Sequence, residues 1–280
     1  MHVHPHVMTN ANVKMPALIY GTAWKKEHTS DLVVQAVLNG FRGIDTACQP
    51  KHYEESLVGE AIARLSNHGI MREDLFIQTK FTPLAGQDPQ RIPYDPKDPL
   101  EIQVTNSFEA SKRNLGTDYV DSLVLHSPLF PYANLLKVWK AMEAIYHSGG
   151  ARQLGISNCY DLELLQRLYF DADVKPSVVQ NRFYSESGYD VELRQWCDEQ
   201  GIIYQSFWSL TANPHILGSK AVVDLAQKYD KTPAQIVYRY LTQMRIVPLI
   251  GSTSQQHMKE DLEIFSFELT VDEMMGIQLI

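Results

Sequence analysis

The sequence predicts an α/β fold, a single-domain (β/α)8 barrel of the TIM type, and two observations predict it. The 280-residue chain contains eight short apolar runs, rich in β-branched residues and bounded by turn residues, as buried strands are. Amphipathic segments with helical spacing lie between the runs, so strands and helices alternate. A doubly wound open sheet is the alternative, but no G-x-G-x-x-G follows the first run. We expect one domain over residues 1–280.

The eight runs define the order of the expected strands. They are residues 16–23 (PALIYGTA), 41–47 (FRGIDTA), 75–80 (LFIQTK), 120–126 (VDSLVLH), 151–157 (ARQLGIS), 177–183 (SVVQNRF), 201–207 (GIIYQSF) and 245–251 (RIVPLIG). We expect a short N-terminal hairpin before them. The chain ends at Ile280, soon after the last amphipathic segment, so we expect no long C-terminal lid.

Three helical segments carry recognisable end signals. SDLVVQAVLNG ends on Gly40, a residue typical of a helix C-terminus. TPAQIVYRYL begins with Thr232 and has Gln235 three residues on, which is a capping box. TVDEMMGIQLI repeats that pattern with Thr270 and Glu273. These signals support helices between and after the strands.

Composition narrows the possible partners and the compartment. The net charge of −8 and the absence of a Lys/Arg run argue against a nucleic-acid partner. Three sparse cysteines, Cys48, Cys159 and Cys197, without C-x-x-C spacing are typical of reduced thiols in the cytoplasm. The first residues lack a signal-peptide pattern, and no apolar run is long enough for a membrane span. We therefore expect a cytoplasmic protein with no membrane partner, a monomer or weak dimer.

The first residues also contain an H-x-H-x-H pattern, formed by His2, His4 and His6. A zinc-dependent barrel hydrolase needs a histidine pair on its first strand, so this class of enzyme is a rival interpretation. A closed metal site, however, needs further convergent ligands on a fixed backbone. We expect no metal site.

Polar side chains stand where the barrel's strands end, which is where barrel enzymes place their catalytic groups. These include Asp45, Lys80 and His126, with Tyr53 eight residues beyond Asp45. A phenol with a pKa of about 10 is a reluctant acid, and a nearby ammonium is expected to lower that pKa. A carboxylate would keep the lysine charged and in place, and an imidazole can hydrogen-bond a carbonyl oxygen. Together the four groups predict a proton donor facing a carbonyl.

That chemistry requires a cofactor. A carbonyl protonated on oxygen must receive a hydride on carbon, and no side chain supplies hydride. We therefore expect a nicotinamide cofactor.

Six motifs in this order make the chain resemble the aldo-keto reductases, NAD(P)H-dependent barrel enzymes that reduce aldehydes or ketones to alcohols. The motifs are GFRGIDTA, LFIQTK, YVDSLVLHSP, GARQLGISN, VVQNRFY and RIVPLIGS. The resemblance covers nearly the whole chain, from MPALIYGTAW to LTVDEMMGIQL. It implies a catalytic tetrad of Asp45, Tyr53, Lys80 and His126, with Tyr53 as the proton donor.

The resemblance also implies a cofactor site for NADPH, with NADH as an accepted alternative. The implied residues are Gly21, Thr22, Ala23, Asp45, Ser157, Asn158, Gln180, Trp208, Ser209, Leu210, Gly251, Ser252, Thr253, Ser254, His257 and Asp261. Trp208 is expected to stack on the nicotinamide, although plain core packing is an alternative. A second rival is a non-catalytic NADP(H)-binding channel subunit of the same fold, and a turnover assay separates the two.

The chain departs from the family pattern in ways that affect cofactor and substrate. The loop from Asp45 to Tyr53 is longer than in most members. Gly251 stands where many NADPH-preferring members carry Lys, and His257 stands where they carry Arg. Because a histidine is a poorer phosphate partner than a guanidinium, we expect a modest preference for NADPH.

The substrate pocket is expected to be open and aromatic-walled. We expect it to reduce activated aldehydes and ketones broadly, including bulky ones, with weak affinity for small polar ones. Its candidate walls just beyond the strand ends are Trp24, Phe81, Ser127 and Phe130. The long Pro-rich loop over residues 82–99 has no periodicity of its own, and such loops are more often functional than idle.

Overall fold

The computed structural model describes residues 5–278, and they form a closed parallel barrel behind a short N-terminal hairpin. The hairpin strands β1 (His6–Met8) and β2 (Lys14–Pro16) pair antiparallel. The barrel strands are β3 (Ile19–Gly21), β4 (Gly43–Asp45), β5 (Phe76–Phe81), β6 (Ser122–Leu125), β7 (Leu154–Ser157), β8 (Val178–Arg182), β9 (Ile203–Phe207) and β10 (Ile246–Ile250). Each of the eight apolar runs therefore holds one barrel strand, and both the barrel and the hairpin are confirmed.

The barrel closes in chain order. Each strand from β3 to β9 pairs in parallel with the next, and β10 pairs with both β9 and β3. The helices are α1 (Thr29–Asn39), α2 (Glu55–Ser66), α3 (Leu100–Leu115), α4 (Tyr132–His147), α5 (Leu162–Asp171), α6 (Val191–Glu199), α7 (Pro214–Leu217), α8 (Lys220–Tyr229), α9 (Pro233–Gln243), α10 (Gln255–Leu262) and α11 (Val271–Gln278).

The expected helix ends are present. Gly40 ends α1 with φ of 130°, a backbone conformation that a side chain disfavours. Thr232 and Gln235 form a reciprocal capping box at the start of α9. The Thr270 hydroxyl accepts from the Glu273 amide at 3.3 Å, and the Glu273 carboxylate accepts from the Thr270 amide at 2.7 Å. Local sequence thus fixes where these helices begin and end.

The barrel interior is apolar at one end and polar at the other. Its apolar floor consists of Met15, Ile19, Phe76, Val178, Ile203 and Val247. The larger apolar core lies between the strands and the surrounding helices and includes the fully buried Trp139. Polar side chains inside the barrel therefore concentrate toward the carboxyl ends of the strands.

The hairpin closes the floor from outside. Thr9 Oγ1 donates to Gln153 Oε1 at 2.8 Å, and Asn10 Nδ2 donates to the Pro176 carbonyl at 3.1 Å, both just before barrel strands begin. His6 belongs to this hairpin, at the end of the barrel opposite the carboxyl ends of the strands. His2 and His4 lie outside the described residues. The first barrel strand carries no histidine, so it lacks the pair that a metal-dependent hydrolase needs.

Residues 5–278 contain neither a metal-binding cluster nor a membrane-spanning helix. No group of three His, Cys, Asp or Glu side chains in this range is arranged to hold a metal ion. None of the helices in this range is long and apolar enough to cross a bilayer.

Candidate active site

A buried ion pair lies at the centre of the barrel mouth. Asp45 is the last residue of β4, and Lys80 extends from the neighbouring strand β5. Lys80 Nζ donates to Asp45 Oδ2 at 2.6 Å and to the Thr46 carbonyl at 2.9 Å, and both charged side chains are almost completely buried. Burial lowers the pKa of Lys80, and the contact with Asp45 opposes that effect.

Beneath the ion pair lies a layer of three glutamines, Gln78, Gln180 and Gln205. Gln78 Nε2 donates to Asp45 Oδ1 at 2.8 Å, and Gln180 Nε2 donates to the same oxygen at 3.1 Å. Both amides also donate to Gln205 Oε1, at 2.7 and 2.8 Å. Sequence reasoning did not select Gln78 or Gln205. Because every partner is itself hydrogen-bonded, this layer fixes the position of Asp45.

Tyr53 stands beside the ion pair, immediately before α2. Its ring centroid lies 5.0 Å from Lys80 Nζ and 5.9 Å from the His126 ring centroid, with the two rings edge to face. The long Asp45–Tyr53 loop therefore still brings the phenol to the lysine. The tetrad residues Asp45, Tyr53, Lys80 and His126 thus lie together at one end of the barrel.

The loop that carries Tyr53 is hydrogen-bonded to the 82–99 loop, and these contacts fix its position. The Tyr53 amide donates to the Gln49 carbonyl at 3.1 Å, and Gln49 Nε2 donates to the Gly86 carbonyl at 2.6 Å in the 82–99 loop. From that loop, Gln87 Nε2 donates to the Cys48 carbonyl at 3.0 Å. The 82–99 loop is therefore fastened to the segment that carries Tyr53.

Burial reverses one expectation about Tyr53. The nearby ammonium was expected to lower the pKa of the phenol. Instead, burial raises the pKa of Tyr53 well above its ordinary value, and the negative charge of Asp45 adds to the rise. The expected lowering is therefore wrong, because desolvation of the phenolate dominates. Tyr53 therefore keeps its proton at neutral pH.

His126 is held by a residue that sequence reasoning did not select. Its Nδ1 lies 2.7 Å from Thr82 Oγ1, within hydrogen-bond distance. Burial, followed by the charge of Lys80, lowers the pKa of His126 well below its usual range, so the ring is neutral at pH 7. Thr82 Oγ1 has no other partner within residues 5–278, and the tautomer of the ring decides which of the two groups donates. In the tautomer with its proton on Nε2, Nδ1 accepts from the Thr82 hydroxyl and Nε2 carries the donor N–H.

The residues implied for the nicotinamide end lie around the same mouth. Thr22 is buried and donates through its hydroxyl to the Asp45 carbonyl at 2.8 Å, while Gly21 and Ala23 flank it. Ser157 Oγ donates to the Gln180 carbonyl at 2.7 Å. The remaining positions follow the next strands. Asn158 Nδ2 donates to the His126 carbonyl at 2.9 Å, half-exposed Trp208 follows β9, and Ser209 Oγ lies 2.8 Å from Ser206 Oγ, with Leu210 next to it.

The residues implied for the phosphate end follow β10. Gly251, Ser252 and Thr253 form a turn, and Ser254 caps α10 by accepting from the His257 amide at 3.3 Å. Lys25, which sequence reasoning did not select, donates through its ammonium to the Gly251 carbonyl. A cation therefore stands beside the very position where the family's lysine is missing.

Two of the implied phosphate-end residues differ sharply in exposure. His257 is exposed on α10, whereas Asp261, one turn later, is almost fully buried. Burial raises the pKa of Asp261 to about 7, with a smaller contribution from the charge of Glu260. Asp261 is therefore partly protonated near neutral pH.

The four candidate wall residues do not share one environment. Trp24 is exposed and stacks on His52 with ring centroids 4.0 Å apart, and Phe130 is also exposed, while Ser127 is half-buried. Phe81 departs from the prediction, because its ring is 2% exposed and packs against Tyr94 in the core. Alternation along β5 explains this, since Lys80 points into the barrel and the next residue points outward.

The three cysteines are free thiols and all are buried. Burial raises the pKa of Cys159 to about 12 and raises those of Cys48 and Cys197 as well. Such thiols are not nucleophiles at neutral pH.

Comparison with known proteins agrees with this geometry. A model of the Aldo/keto reductase family matches residues 17–280. The oxidoreductase YtbE of Bacillus subtilis is 32% identical over 277 residues, covering 98% of this chain and 91% of its own. An NADPH-dependent alpha-keto amide reductase of Saccharomyces cerevisiae is 30% identical, covering 98% of this chain and 89% of its own.

A solved structure extends the comparison to the fold. An aldo-keto reductase from a Medee basin deep-sea metagenome library superimposes with a TM-score of 0.82 at 27% identity, covering 98% of this chain and 94% of that one. The barrel, the match over nearly the whole chain and the related sequences agree, and the chain therefore belongs to the aldo/keto reductase family.

Proposed function

We propose that the protein is an NAD(P)H-dependent carbonyl reductase that converts aldehydes or ketones to alcohols by hydride transfer, with Tyr53 as the proton donor. The observation that carries this proposal is the buried Asp45–Lys80 ion pair beside Tyr53 and His126 at the barrel mouth. The NADPH-dependent keto amide reductase among its relatives supports the same reaction class.

Each tetrad residue has a role that its surroundings suit. Tyr53 holds its proton at neutral pH and can give it to a carbonyl oxygen. Lys80 stabilises the phenolate as that proton leaves, and Asp45 keeps the ammonium in place. Neutral His126 can donate a hydrogen bond from Nε2 to the same carbonyl oxygen. These interactions are strongest as negative charge develops on the oxygen.

The residues at the mouth suit a nicotinamide cofactor. When bound, NADPH supplies the hydride that no side chain can supply. Gln180 uses only Nε2 within residues 5–278, so its Oε1 is open to accept from a carboxamide. The half-exposed ring of Trp208 offers a stacking face, and Lys25 with the Gly251–Ser254 turn offers donors to phosphate.

The proposal extends to the domain organisation, the oligomeric state and the compartment of the protein. We propose one domain over residues 1–280, a monomer or weak dimer in the cytoplasm, whose partners are the cofactor and a small-molecule carbonyl substrate. The free buried cysteines support a reducing compartment. Sedimentation velocity tests the oligomeric state.

A turnover assay tests the proposed activity. NADPH absorbance is followed with a panel of aldehydes, ketones and keto acids, and consumption above the enzyme-free rate is expected for at least one class. NADPH binding without consumption across the panel would instead support the non-catalytic cofactor-binding subunit.

A further inference from the structure

One positively charged side chain at the barrel mouth belongs neither to the tetrad nor to the implied cofactor residues. Arg182 is the last residue of β8, two positions beyond Gln180 and paired in register with Phe207. Its backbone amide donates to the Tyr160 hydroxyl at 3.1 Å. Arg182 therefore lies at the same rim as the catalytic groups.

Two aromatic rings hold the Arg182 guanidinium. Its central carbon lies 4.3 Å from the centroid of Trp208 and 5.1 Å from that of Tyr184. Stacking of this kind fixes the plane of a guanidinium while leaving its N–H edge available. The rings therefore hold the group in position without neutralising its charge.

The charge of Arg182 has no acidic partner in the described part of the chain. No carboxylate within residues 5–278 forms an ion pair with it, and its Nε is buried without a hydrogen-bond partner. By contrast, Arg72 and Arg152 at the opposite end of the barrel both pair with Asp121. A partly buried, unpaired guanidinium is costly, and an anion that arrives from solution would satisfy it.

The position of Arg182 favours a substrate anion over a cofactor phosphate. The phosphate-end turn follows β10, which pairs with β3, and Lys25 lies against that turn. Arg182 instead lies beside β7, where Tyr160 also donates to Asn158 Oδ1 at 3.4 Å, and Asn158 contacts the His126 carbonyl. A short chain of contacts therefore joins Arg182 to the carbonyl-binding side of the mouth.

We propose that Arg182 binds a carboxylate on the substrate, so that the preferred substrates are aldehydes or ketones that carry a carboxylate. The inference rests on the proposed carbonyl reduction and specifies its substrate class.

Matched substrates isolate the contribution of the carboxylate. We compare kcat/KM for 4-carboxybenzaldehyde and for its methyl ester, which differ in charge but not in the reacting aldehyde. In Arg182→Gln the acid should lose about tenfold to hundredfold, the worth of a hydrogen bond to a charged group, while the ester stays nearly unchanged. Arg182→Lys should restore part of the lost kcat/KM for the acid, because a lysine keeps the positive charge but lacks the paired N–H groups of a guanidinium. Arg245→Gln, which removes an exposed arginine just before β10, should not change the acid-to-ester ratio.

Two binding measurements separate this inference from its alternatives. Calorimetric titration with 4-(hydroxymethyl)benzoate needs no turnover, so it tests the anion site even if the proposed reaction fails. The affinity should fall in Arg182→Gln, and the dissociation constant of NADPH should change much less. An acid-to-ester ratio and a benzoate affinity unchanged by Arg182→Gln would overturn the proposal. Weakened NADPH binding with an unchanged ratio would also overturn it, because the anion would then be a cofactor phosphate.

Discussion

The buried carboxyl of Asp261 should make the stability of the protein depend on pH in a predictable direction. Asp261 is 5% exposed in α10, and burial raises its pKa from the ordinary 3.8 to about 7. The folded state therefore binds the proton more tightly than the unfolded state does. Its stabilising effect is complete below about pH 4 and is lost as the pH rises through about 7.

The size of this change in stability follows from the difference between the two pKa values of Asp261. Each pH unit between the two pKa values is worth about 1.36 kcal/mol, so the loss between pH 4 and 8 is about 4 kcal/mol. Asp261→Asn is neutral at every pH and removes this dependence. Its free energy of unfolding, relative to the wild type, should therefore rise with pH by about this amount.

Urea unfolding at a series of pH values measures this difference. Subtracting the wild-type curve from that of Asp261→Asn cancels other titrating groups, such as Glu55, whose pKa burial also raises. Asp224→Asn, which alters an exposed carboxylate paired with Lys220, should change stability by less than about 1 kcal/mol at any pH. A difference between Asp261→Asn and the wild type that stays flat from pH 4 to 8 would refute the reasoning.

Three further predictions concern the site. Lys80→Met and Asp45→Asn should each lower kcat/KM strongly. The double variant should lose less activity than the two single losses combined, because the two groups share one network. Strict additivity in a double-mutant cycle would argue against their coupling. We expect the contact with Thr82 to favour the His126 tautomer with its proton on Nε2, so Thr82→Val should lower kcat/KM about tenfold and Thr82→Ser should restore it. Unchanged imidazole nitrogen shifts by NMR in Thr82→Val would contradict this. The dissociation constants of NADPH and NADH should differ by less than about a hundredfold. His257→Arg should increase the preference for NADPH, and Lys25→Met should weaken NADPH binding. A wild-type ratio above a hundredfold would show that the turn after β10 recognises the 2′-phosphate more strongly than its residues indicate.

Local pattern predicts most of the fold in this chain. The apolar runs locate all eight barrel strands, since buried parallel strands are short and continuously apolar. Capping residues such as Gly40 and Thr232 mark helix ends, because they satisfy backbone groups that any helix leaves unpaired. The strand ends then identify Asp45, Lys80 and His126 as neighbours, since parallel strands share one carboxyl edge.

The remaining features depend on distances that a sequence does not contain. The contact of Thr82 with His126 and that of Lys25 with Gly251 each join separate loops. Gln78 and Gln205 were missed because they lie inside their strands and not at the strand ends. Gln78 lies two residues before Lys80 and points the same way. The outward direction of Phe81 was available from alternation along the strand. The rise in the pKa of Tyr53 depends on burial, which spacing does not reveal.

The most direct test of the central claim is Tyr53→Phe, because it removes only the hydroxyl that is proposed to donate the proton. NADPH consumption with the best aldehyde of the panel is measured beside the dissociation constant of NADPH, from its fluorescence on binding. We predict that kcat falls by at least about a hundredfold while the dissociation constant changes by less than about threefold, since the phenol acts only in the chemical step. A variant that retains most of the wild-type rate would contradict the account, and the proton donor would have to be another group at the barrel mouth.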